Sequence, residues 1–501
     1  MAWRATTDCA LGSSGPQQVF QDSNTVVTVV GQQLKFAPCG ALGDPGVTKL
    51  LAGSSQHGIG LVATCPKTSQ FAYVERQLKP RIVLCSYPGL QQLFTLDEAA
   101  EVEVVALAFS RDGTRLLSVS GAPDLRLSVW DLKTMTLICD EKVPAMCSVA
   151  SFNPRSSAAI CLQAPGSLQL WALKQSYKHF SLVATEVQPP RESTVVGSWG
   201  CHCWGIEDEI FAGTDTGAVV LASATAESTL ALAADTAVSG LVAEAAHLIV
   251  ACRDGSLTWY AKADFAPLFE LRMPANVTAL TPSSDYLKLL VSTADGGVHQ
   301  VAMLQPELPT IPVEDDQVGA ILAASRAASY HVGKVVATAL LTGQLGSTSP
   351  NGSVSEMVSV GEDGTLRCFD CATRAMLAAT ELGGEPSAVA ASGALGLVAA
   401  ATADGVLRVY ARRPEAEPPE TPAEGGGLTL VLRARLSHAS ITQLAFDASG
   451  EYLVAAAADS RLVFYGCSGR EGMALLGAAS LTAPPASLCW FADDSGAAGT
   501  P

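Results

Sequence analysis

Cysteine and histidine residues occur in two groups whose spacing could bind a metal ion. Cys368 and Cys371 form a Cys-x-x-Cys pair, and Cys201, His202 and Cys203 are consecutive. A structural zinc site of this kind combines two Cys-x-x-Cys pairs, and the sequence offers no second one. Trp204 follows the consecutive group, which favours packing at the start of a strand. We therefore predict that both groups serve the core, with no metal and no cofactor bound.

Aspartates and one histidine could be mistaken for acid–base catalysts. Four aspartates each precede a glycine, and these are Asp254, Asp295, Asp363 and Asp404. Asp-Gly pairs form tight turns, so we predict that each aspartate braces its own turn. His438 lies 21 residues before Asp459, a spacing that predicts a buried hydrogen bond between the two. Because no nucleophile or partner base accompanies them, we predict no catalytic residues and no enzyme activity.

A nucleotide-binding loop would end in Gly-Lys followed by Ser or Thr. Gly333-Lys334 is the nearest match, but Ala328 replaces the first glycine and Val335 follows the lysine. We therefore predict no phosphate-binding loop.

Length, composition and charge limit the class of protein. The 501 residues are 48% apolar, and 31 Lys and Arg stand against 48 Asp and Glu, for a net charge of −17. This apolar content is enough for one or two substantial cores. Nucleic acid binding needs a basic face, and the sequence shows none. We predict protein partners and no nucleic acid, with an acidic surface that suits solubility or a basic partner.

Targeting and membrane segments are not recognisable in the sequence. Residues 1–8 lack the apolar stretch of a signal peptide, and the apolar stretch 395–403 is far shorter than a membrane span. The 14 cysteines are scattered through strand-like runs, as expected of small buried residues in a reducing compartment. We predict a soluble intracellular protein that makes no membrane contact.

One short pattern recurs along the chain: a leucine, any residue, an apolar residue and then an aromatic residue. Its six copies end at Trp130, Trp171, Tyr260, Phe369, Tyr410 and Tyr465. Trp130 and Trp171 are 41 residues apart, as are Phe369 and Tyr410, and a period of about 40–45 residues is typical of a four-stranded propeller blade.

Turn residues support the same repeat independently of its spacing. An Asp-Gly turn precedes most of the leucine-containing strands, and a second turn such as residues 110–113 or 447–450 ends an earlier strand. Three strands and two turns are visible in each repeat, and the fourth, outermost strand is the least regular. The sequence therefore predicts an all-β fold of tandem WD40-type β-propellers.

Counting repeats predicts the domain organisation. Residues 1–19 form a tail, 20–304 a seven-bladed propeller, and 305–317, rich in proline and acid, a linker. Residues 318–491 form a partial second propeller with insertions at 343–353 and 414–427, and 492–501 a disordered tail. Three and a fraction blades cannot close a ring without leaving exposed strand edges, so we expect a fragment that stops inside the second propeller.

The N-terminal region carries a more selective block of residues. It comprises residues 58–62 and 73–90, with Lys79-Pro80, a short strand and Tyr87-Pro88-Gly89-Leu90, followed by residues 109–113 and 123–130. This block resembles the cilia- and flagella-associated WD-repeat proteins that form the tether and tether head of an inner dynein arm. The resemblance covers about the first third of the chain well, and the remainder only as generic repeats.

The resemblance implies a location in the cytoplasm and cytoskeleton, on the axoneme of a cilium or flagellum. There the protein would tether inner-arm dynein to the doublet microtubule and so regulate motility. Its implied partners are a paralogous WD-repeat tether subunit, axonemal dynein and doublet-microtubule proteins. Members of this family look longer, with a complete second propeller and a coiled-coil half, whereas this chain has no heptad pattern.

Two other classes of function were weighed against this scaffold. A cytoplasmic WD-repeat adaptor of ubiquitin-ligase or trafficking type would carry an accessory box or helical tail, and none is visible. A propeller enzyme would need titratable residues on its innermost strands, which here read Val-Val-Ala-Leu and Val-Thr-Ala-Leu. The sequence therefore favours a non-enzymatic scaffold, with the general adaptor as the alternative.

Overall fold

The computed structural model describes residues 18–42, 48–97, 99–177, 179–190, 197–223, 226–303, 326–343, 354–371, 376–412, 427–467 and 472–490. Within these ranges the regular elements are 40 β-strands and one short 3₁₀ turn at Cys39–Ala41. The strands form ten antiparallel sheets of four strands each. The chain divides into two compact units after Tyr330. The predicted all-β class is confirmed.

The first unit contains seven of these sheets, numbered here in chain order. Sheets 1 to 4 consist of β1 (Gln18–Phe20), β2 (Thr25–Val30), β3 (Gln33–Pro38), β4 (Lys49–Ala52); β5 (Ile59–Cys65), β6 (Gln70–Glu75), β7 (Ile82–Ser86), β8 (Gln92–Leu96); β9 (Val104–Phe109), β10 (Arg115–Ser120), β11 (Arg126–Asp131), β12 (Thr136–Lys142); and β13 (Val149–Phe152), β14 (Ala159–Ala164), β15 (Ser167–Ser176), β16 (His179–Glu186). Sheets 5 to 7 consist of β17 (Trp199–Trp204), β18 (Ile210–Thr214), β19 (Ala218–Ala222), β20 (Ser228–Ala233); β21 (Val238–Ala243), β22 (His247–Cys252), β23 (Ser256–Ala261), β24 (Pro267–Arg272); and β25 (Val277–Pro282), β26 (Lys288–Thr293), β27 (Gly297–Ala302), β28 (Arg326–Ser329).

The second unit contains the remaining three sheets. Sheets 8 to 10 consist of β29 (Val335–Gly343), β30 (Val354–Gly361), β31 (Thr365–Asp370), β32 (Met376–Glu381); β33 (Pro386–Ser392), β34 (Leu397–Thr402), β35 (Val406–Arg412), β36 (Leu428–Arg435); and β37 (Ile441–Phe446), β38 (Tyr452–Ala457), β39 (Arg461–Cys467), β40 (Met473–Ser480).

The recurring leucine-to-aromatic pattern lies on the third strand of a sheet, as predicted. On β11, Leu127 and Val129 are buried in the core that sheet 3 shares with sheet 4. Trp130 points to the other face and packs in the core shared with sheet 2. Successive side chains of a strand point to opposite faces, so a strand placed between two neighbouring sheets is apolar on both. This explains why the repeats read as apolar runs.

Several of the sheets share a β-bulge between their third and fourth strands. The pairing of the third and fourth strands shifts register at the aromatic position, between Val129 and Trp130 in sheet 3 and between Val409 and Tyr410 in sheet 9. Such bulges increase local twist. The fourth strands, such as β12 and β40, are largely exposed, which explains why they lack a strong sequence pattern.

The first and seventh sheets pack against each other. Phe20, Val26 and Ala37 of sheet 1 share one core with Leu290 and Val298 of sheet 7. The two ends of the unit therefore meet through side-chain packing. No described sheet mixes strands from both ends, since β1–β4 and β25–β28 form separate sheets.

Tyr330 lies at this seam, directly after β28. Its hydroxyl lies 3.2 Å from the carbonyl oxygen of Leu42, to which it donates, and 3.3 Å from Nζ of the buried Lys35. The Lys35 ammonium also lies 5.2 Å from the centroid of the Tyr330 ring, within cation–π range. Both partners belong to the first-sheet region, so Tyr330 fastens the end of the unit to its beginning.

The boundary between the units differs from the predicted one. We expected the first propeller to end at 304 and the second to begin at 318, but β28 at Arg326–Ser329 pairs with β27. In the sequence, residues 305–317 therefore lie between two strands of the same sheet, sheet 7. The sequence concealed this because an outermost strand reading Arg-Ala-Ala-Ser carries no apolar signature.

Several predicted segments lie outside the described residues. They are residues 1–17 of the N-terminal tail, the 305–317 segment, residues 344–353 and 414–426 of the two insertions, and the 492–501 tail. The strand expected near 486–491 is not formed in the described part, 486–490. Trp490 there donates its indole N–H to the carbonyl of Ala445 at 3.1 Å.

The seam gives the first prediction. Replacing Tyr330 by Phe removes the hydroxyl between Leu42 and Lys35, which leaves buried polar groups less well satisfied and costs about 1–3 kcal/mol. We expect faster amide hydrogen exchange in β1 and β28 than in the wild type. Tyr177→Phe is the matched control, since Tyr177 is 97% exposed. Equal exchange in Tyr330→Phe and wild type would show that the hydroxyl does not hold the seam.

Candidate functional sites

The consecutive Cys201, His202 and Cys203 lie on β17, the innermost strand of sheet 5. Cys201 and Cys203 pack against the core shared with sheet 6, whereas His202 points to the opposite face. Burial raises the pKa of the Cys201 thiol to about 12, and it raises that of Cys203 as well. The three side chains do not converge. Among the described residues, no group of three or more His, Cys, Asp or Glu could hold a metal ion.

His202 instead belongs to a chain of hydrogen bonds between sheets 4 and 5. Trp204 donates its indole N–H to Ser151 Oγ at 2.9 Å, and Ser151 Oγ lies 2.7 Å from His202 Nε2. His202 Nδ1 lies 3.0 Å from Gln163 Oε1, and Gln163 Nε2 donates to the carbonyl of Trp199 at 3.2 Å. Since Gln163 Oε1 can only accept, Nδ1 carries the imidazole proton, and Nε2 accepts the proton of Ser151. A neutral His202 satisfies every member of this chain.

Cys368 and Cys371 lie in different environments. Cys368 is fully buried in the core between sheets 8 and 9, and burial raises the pKa of its thiol to about 12. Cys371 is exposed in the turn after β31. The predicted core role of Cys368 is confirmed by this burial.

The four turn aspartates each join the second and third strands of a different sheet. Asp254 Oδ1 accepts from Ser256 N at 3.0 Å, and Asp404 Oδ1 accepts from Thr402 Oγ1 at 2.5 Å. Asp295 Oδ1 accepts from Gly297 N at 3.1 Å. Gly405 has φ +78°, and a Cβ there would lie 2.2 Å from the carbonyl of Ser437. The turn-bracing role predicted for these aspartates matches this geometry.

Asp363 differs from the other turn aspartates because its carboxylate is nearly buried. His331 Nδ1 lies 3.0 Å from Asp363 Oδ1, and His331 Nε2 lies 2.8 Å from Ser359 Oγ. Arg367, only 2% exposed, places Nη2 3.3 Å from Asp363 Oδ2. Burial by itself raises the pKa of Asp363, but hydrogen bonds from His331, the Val332 amide and Thr365 outweigh it and hold that pKa well below its ordinary value.

The histidine–aspartate bond lies in a different repeat from the one predicted. Asp459 accepts from Ser437 Oγ at 2.6 Å, and the expected partner, His438, is exposed. His331 was missed because it lies 32 residues before Asp363, against 22 between Ser437 and Asp459. His331 lies four residues before β29, as Ser437 lies four residues before β37, so the two residues occupy equivalent positions. The ten extra residues fall within the β29–β30 hairpin, which contains the predicted insertion 343–353.

The Gly333-Lys334 pair lies in an exposed turn beside a carboxylate. The amide of Lys334 donates to Glu362 Oε2 at 3.1 Å, and its Nζ lies 3.8 Å from Glu362 Oε1. A phosphate at this turn would meet the negative charge of Glu362, which agrees with the absence of the sequence motif.

Part of the selective N-terminal block fastens sheet 2 to sheet 1. The buried Glu75 accepts from the Ser54 amide at 2.7 Å and pairs with Arg81 Nη2 at 2.8 Å. Burial raises the pKa of Glu75, but the hydrogen bonds from Ser54 and Arg81 outweigh it and lower that pKa overall. The Tyr87 ring stacks on Phe36 with centroids 5.8 Å apart. These residues of the block have a structural role.

Other residues of the block line a groove of about 580 Å³ on sheets 2 and 3. Lys79 enters it from the β6–β7 turn, and Pro123 and Asp124 enter from the β10–β11 turn. The segment between β8 and β9 is held on both sides, because Glu101 N donates to Asp124 Oδ2 at 2.6 Å and Glu101 O accepts from Lys79 N at 2.9 Å. Two separate parts of the block therefore meet in one surface feature.

An apolar floor and a charged rim define this groove. Trp130 is 8% exposed and donates its indole N–H to Ser118 Oγ at 3.0 Å. Leu137, on the outer strand β12, is 44% exposed. The charged lining residues are three bases and three acids, namely Lys79, Arg126, Lys142, Glu101, Asp124 and Asp140. An apolar centre with a balanced polar rim is typical of a protein–protein contact.

Four-stranded sheets with a Trp- or Tyr-ended third strand and an Asp-braced turn define a WD-repeat β-propeller protein. Residues 430–465 match the family described as "WD domain, G-beta repeat". Residues 45–307 match the family described as "CFAP43 N-terminal domain". This match covers more than half of the chain, and the chain belongs to that family.

Three similar proteins are cilia- and flagella-associated proteins. Cilia- and flagella-associated protein 43 of Mus musculus is 28% identical over 135 residues, 27% of this chain and 8% of the relative. Cilia- and flagella-associated protein 44 of Mus musculus is 28% identical over 163 residues, 32% of this chain and 9% of the relative. The Chlamydomonas reinhardtii protein 43 is 23% identical over an alignment of 554 positions that covers 90% of this chain and 31% of the relative.

This chain spans less than a third of the length of these relatives. The relatives support a ciliary or flagellar role and location, and the WD-repeat and family matches point to a scaffold rather than an enzyme. Within the described residues, no helix is long and apolar enough to cross a membrane.

The hydrogen-bond chain through His202 predicts a dependence of stability on pH. Burial lowers the pKa of His202 from 6.5 to about 4. Between these values the unfolded chain binds a proton that the folded chain refuses, so folding stability falls as the pH drops from about 6.5 to about 4. We expect the acid-induced fall in the free energy of unfolding to be about 1–3 kcal/mol smaller in His202→Gln than in the wild type.

Urea unfolding at pH 7 and pH 4.5 measures this effect. His179→Gln is the control, because His179 is exposed on the outer strand β16. It should leave the acid dependence unchanged. If His202→Gln and wild type lost equal stability between the two pH values, His202 would not be the group responsible.

Replacing two of the turn aspartates should lower the free energy of unfolding by different amounts. Asp363→Ala leaves the buried Arg367 without its carboxylate and should cost about 3–5 kcal/mol. Asp404→Ala removes hydrogen bonds from a half-exposed turn and should cost about 1 kcal/mol. Thermal unfolding of the two variants and wild type compares them. A normal melting temperature for Asp404→Ala would argue against turn bracing, and equal costs would argue against the buried network.

Proposed function

We propose that this chain is part of a non-enzymatic scaffold of the ciliary or flagellar axoneme. It tethers inner-arm dynein to the doublet microtubule and so regulates motility, next to a paralogous WD-repeat subunit. The observation that carries the proposal is the family match over residues 45–307, together with relatives named as cilia- and flagella-associated proteins. The resemblance of the N-terminal block to the tether proteins supports the finer role.

The structural roles of the polar side chains support a scaffold function. The side chains that could perform chemistry hold the sheets together: His202 joins sheets 4 and 5, and Asp363 braces a turn with His331. The thiols of Cys201 and Cys368 are buried and protonated at neutral pH, because burial raises the pKa of each to about 12. A rigid ring with its polar groups occupied in this way can present loops to several partners at once.

The groove on sheets 2 and 3 is the surface we assign to docking of an axonemal partner. About half of its lining residues belong to the block that carries the resemblance, and its exposed Leu137 lies beside the buried Trp130. Apolar anchors surrounded by a polar rim supply most of the energy of protein contacts. Its three bases and three acids suit a partner of mixed charge.

The test is the position of a tagged chain in a motile ciliated cell, followed by cross-linking of isolated axonemes. We expect the wild type on the axoneme, with cross-links to an inner-arm dynein or doublet protein near the groove. Leu137→Asp should reduce retention on the axoneme at least about tenfold, since a charge in an apolar contact costs more than 1.4 kcal/mol.

Leu268→Asp is the matched control. Leu268 is 55% exposed and, like Leu137, is the second residue of an outer strand. It should leave retention unchanged. A diffuse wild-type signal would contradict the axonemal proposal and leave the general WD-repeat adaptor. Axonemal wild type with unaffected Leu137→Asp would reject the groove while keeping the scaffold.

A further inference from the structure

A second cavity opens where the innermost strands of the first unit end. Its volume is about 420 Å³, and it is lined where β5, β9, β13 and β25 finish, at Cys65, Phe109, Phe152 and Pro282. First strands line the axis of a propeller, so this cavity is the mouth of the central channel. We call it the channel mouth. It is distinct from the groove on sheets 2 and 3.

The charge of the channel mouth is opposite to that of the protein. Its lining residues include Lys67 and Arg111 and no carboxylate, whereas the whole chain carries a net charge of −17. Both cations are exposed, and among the described residues neither has an ion-pair partner. The cations are therefore available to an external anion.

The carboxylates on the two turns that line the mouth are engaged by those turns. Asp112 Oδ1 accepts from Ser110 Oγ at 2.6 Å and from Thr114 N at 3.0 Å. Asp285 Oδ1 accepts from Ser283 Oγ at 2.6 Å. These hydrogen bonds orient both carboxylates toward their turns, and they lower the pKa of Asp112, although burial acts in the opposite direction.

Tyr286 is held in an unusual conformation at this mouth. Its φ is +56°, in the left-handed region that bulky residues seldom occupy. The equivalent turns of sheets 3 and 10 have Gly113 and Gly450 there, each donating its amide to the residue three before it, as Tyr286 does to Ser283. A tyrosine at the position where sheets 3 and 10 have glycine costs stability, and such strain concentrates at binding sites.

Aromatic side chains from different sheets line the mouth. Phe109 and Phe152 come from sheets 3 and 4, and Tyr286 comes from sheet 7. Burial raises the pKa of Tyr286, the positive charge of Arg111 opposes this rise, and Glu244 adds to it. Arg111 and Glu244 therefore both lie within electrostatic range of the Tyr286 hydroxyl. Cations and aromatic rings therefore share one small cavity.

We propose that the channel mouth binds an acidic, extended segment of a partner protein. Carboxylates of the segment pair with Lys67 and Arg111, and an apolar side chain between them enters among Phe109, Phe152 and Tyr286. A volume of 420 Å³ accommodates a few residues. This inference adds the chemistry of one partner to the proposed scaffold function and rests on that function only for its biological setting.

The test uses the purified full chain and a fluorescein-labelled peptide, Glu-Glu-Leu-Glu-Glu, followed by fluorescence anisotropy. We expect binding that weakens from 50 mM to 200 mM salt, about as two exposed ion pairs should. Replacing both Lys67 and Arg111 by Glu should weaken binding at least about tenfold. The same peptide with Lys in place of Glu should not bind.

Two further variants make the result specific. Lys133→Glu with Lys174→Glu changes the net charge equally at exposed sites outside the cavity, and it should alter affinity less than about twofold. Tyr286→Gly keeps the left-handed turn and removes the ring, so it should weaken binding about three- to tenfold while the melting temperature stays equal or rises.

Two results would contradict peptide binding by the channel mouth. No peptide binding to the wild type at about 1 mM, or equal weakening by the control pair, would overturn the proposal. Because no cilium is involved, that result would leave the axonemal proposal intact. Conversely, a diffuse cellular signal would leave peptide binding by the channel mouth unaffected.

Discussion

The burial of each sheet of the first unit between two neighbours is the constraint on which the rest of this structure depends. A four-stranded sheet with apolar residues on both faces is stable only when both faces are covered. Sheet 3 meets this condition with Leu127 against sheet 4 and Trp130 against sheet 2. Repetition of the same arrangement brings sheet 7 against sheet 1, where Val298 shares a core with Val26. In the first unit every sheet therefore packs against a neighbouring sheet on each of its two faces.

Polar side chains then fix how neighbouring sheets are aligned. The chain from Trp204 to Gln163 joins sheets 4 and 5, and Arg412 pairs with Glu356 at 3.0 Å between sheets 9 and 8, where both side chains are buried. Hydrophobic contact is not directional, whereas hydrogen bonds require a particular geometry. Histidine, cysteine and aspartate, which could act in catalysis elsewhere, are used here for alignment and turn bracing.

The consequence is a separation between framework and recognition surfaces. Groups on the sheet faces are occupied by packing, so recognition falls to loops, outer strands and the channel mouth. The groove with Leu137 and the mouth with Arg111 lie at different parts of the first unit and differ in charge, one balanced and one positive. A scaffold with two such surfaces can hold two chemically different partners at the same time.

The sequence by itself determined the repeat, the turns and the fold class. The leucine-to-aromatic pattern identified third strands, and the Asp-Gly pairs located the turns before them, because both signals depend on local geometry within one hairpin. The resemblance block likewise identified the family from residues close together in the chain. The core position of Cys368 followed from its place in the repeat, since equivalent positions share the same neighbours.

Only the tertiary structure decided which distant residues meet. β28 could not be predicted because an exposed outer strand needs no apolar pattern, so the segment before it was interpreted as a linker. The bond between His331 and Asp363 was concealed by the ten extra residues of the β29–β30 hairpin, and the seam between Tyr330 and Lys35 joins residues 295 positions apart. The groove and the channel mouth were equally invisible, because cavities form from side chains of several sheets whose relative positions are set by packing around the ring and not by any one repeat.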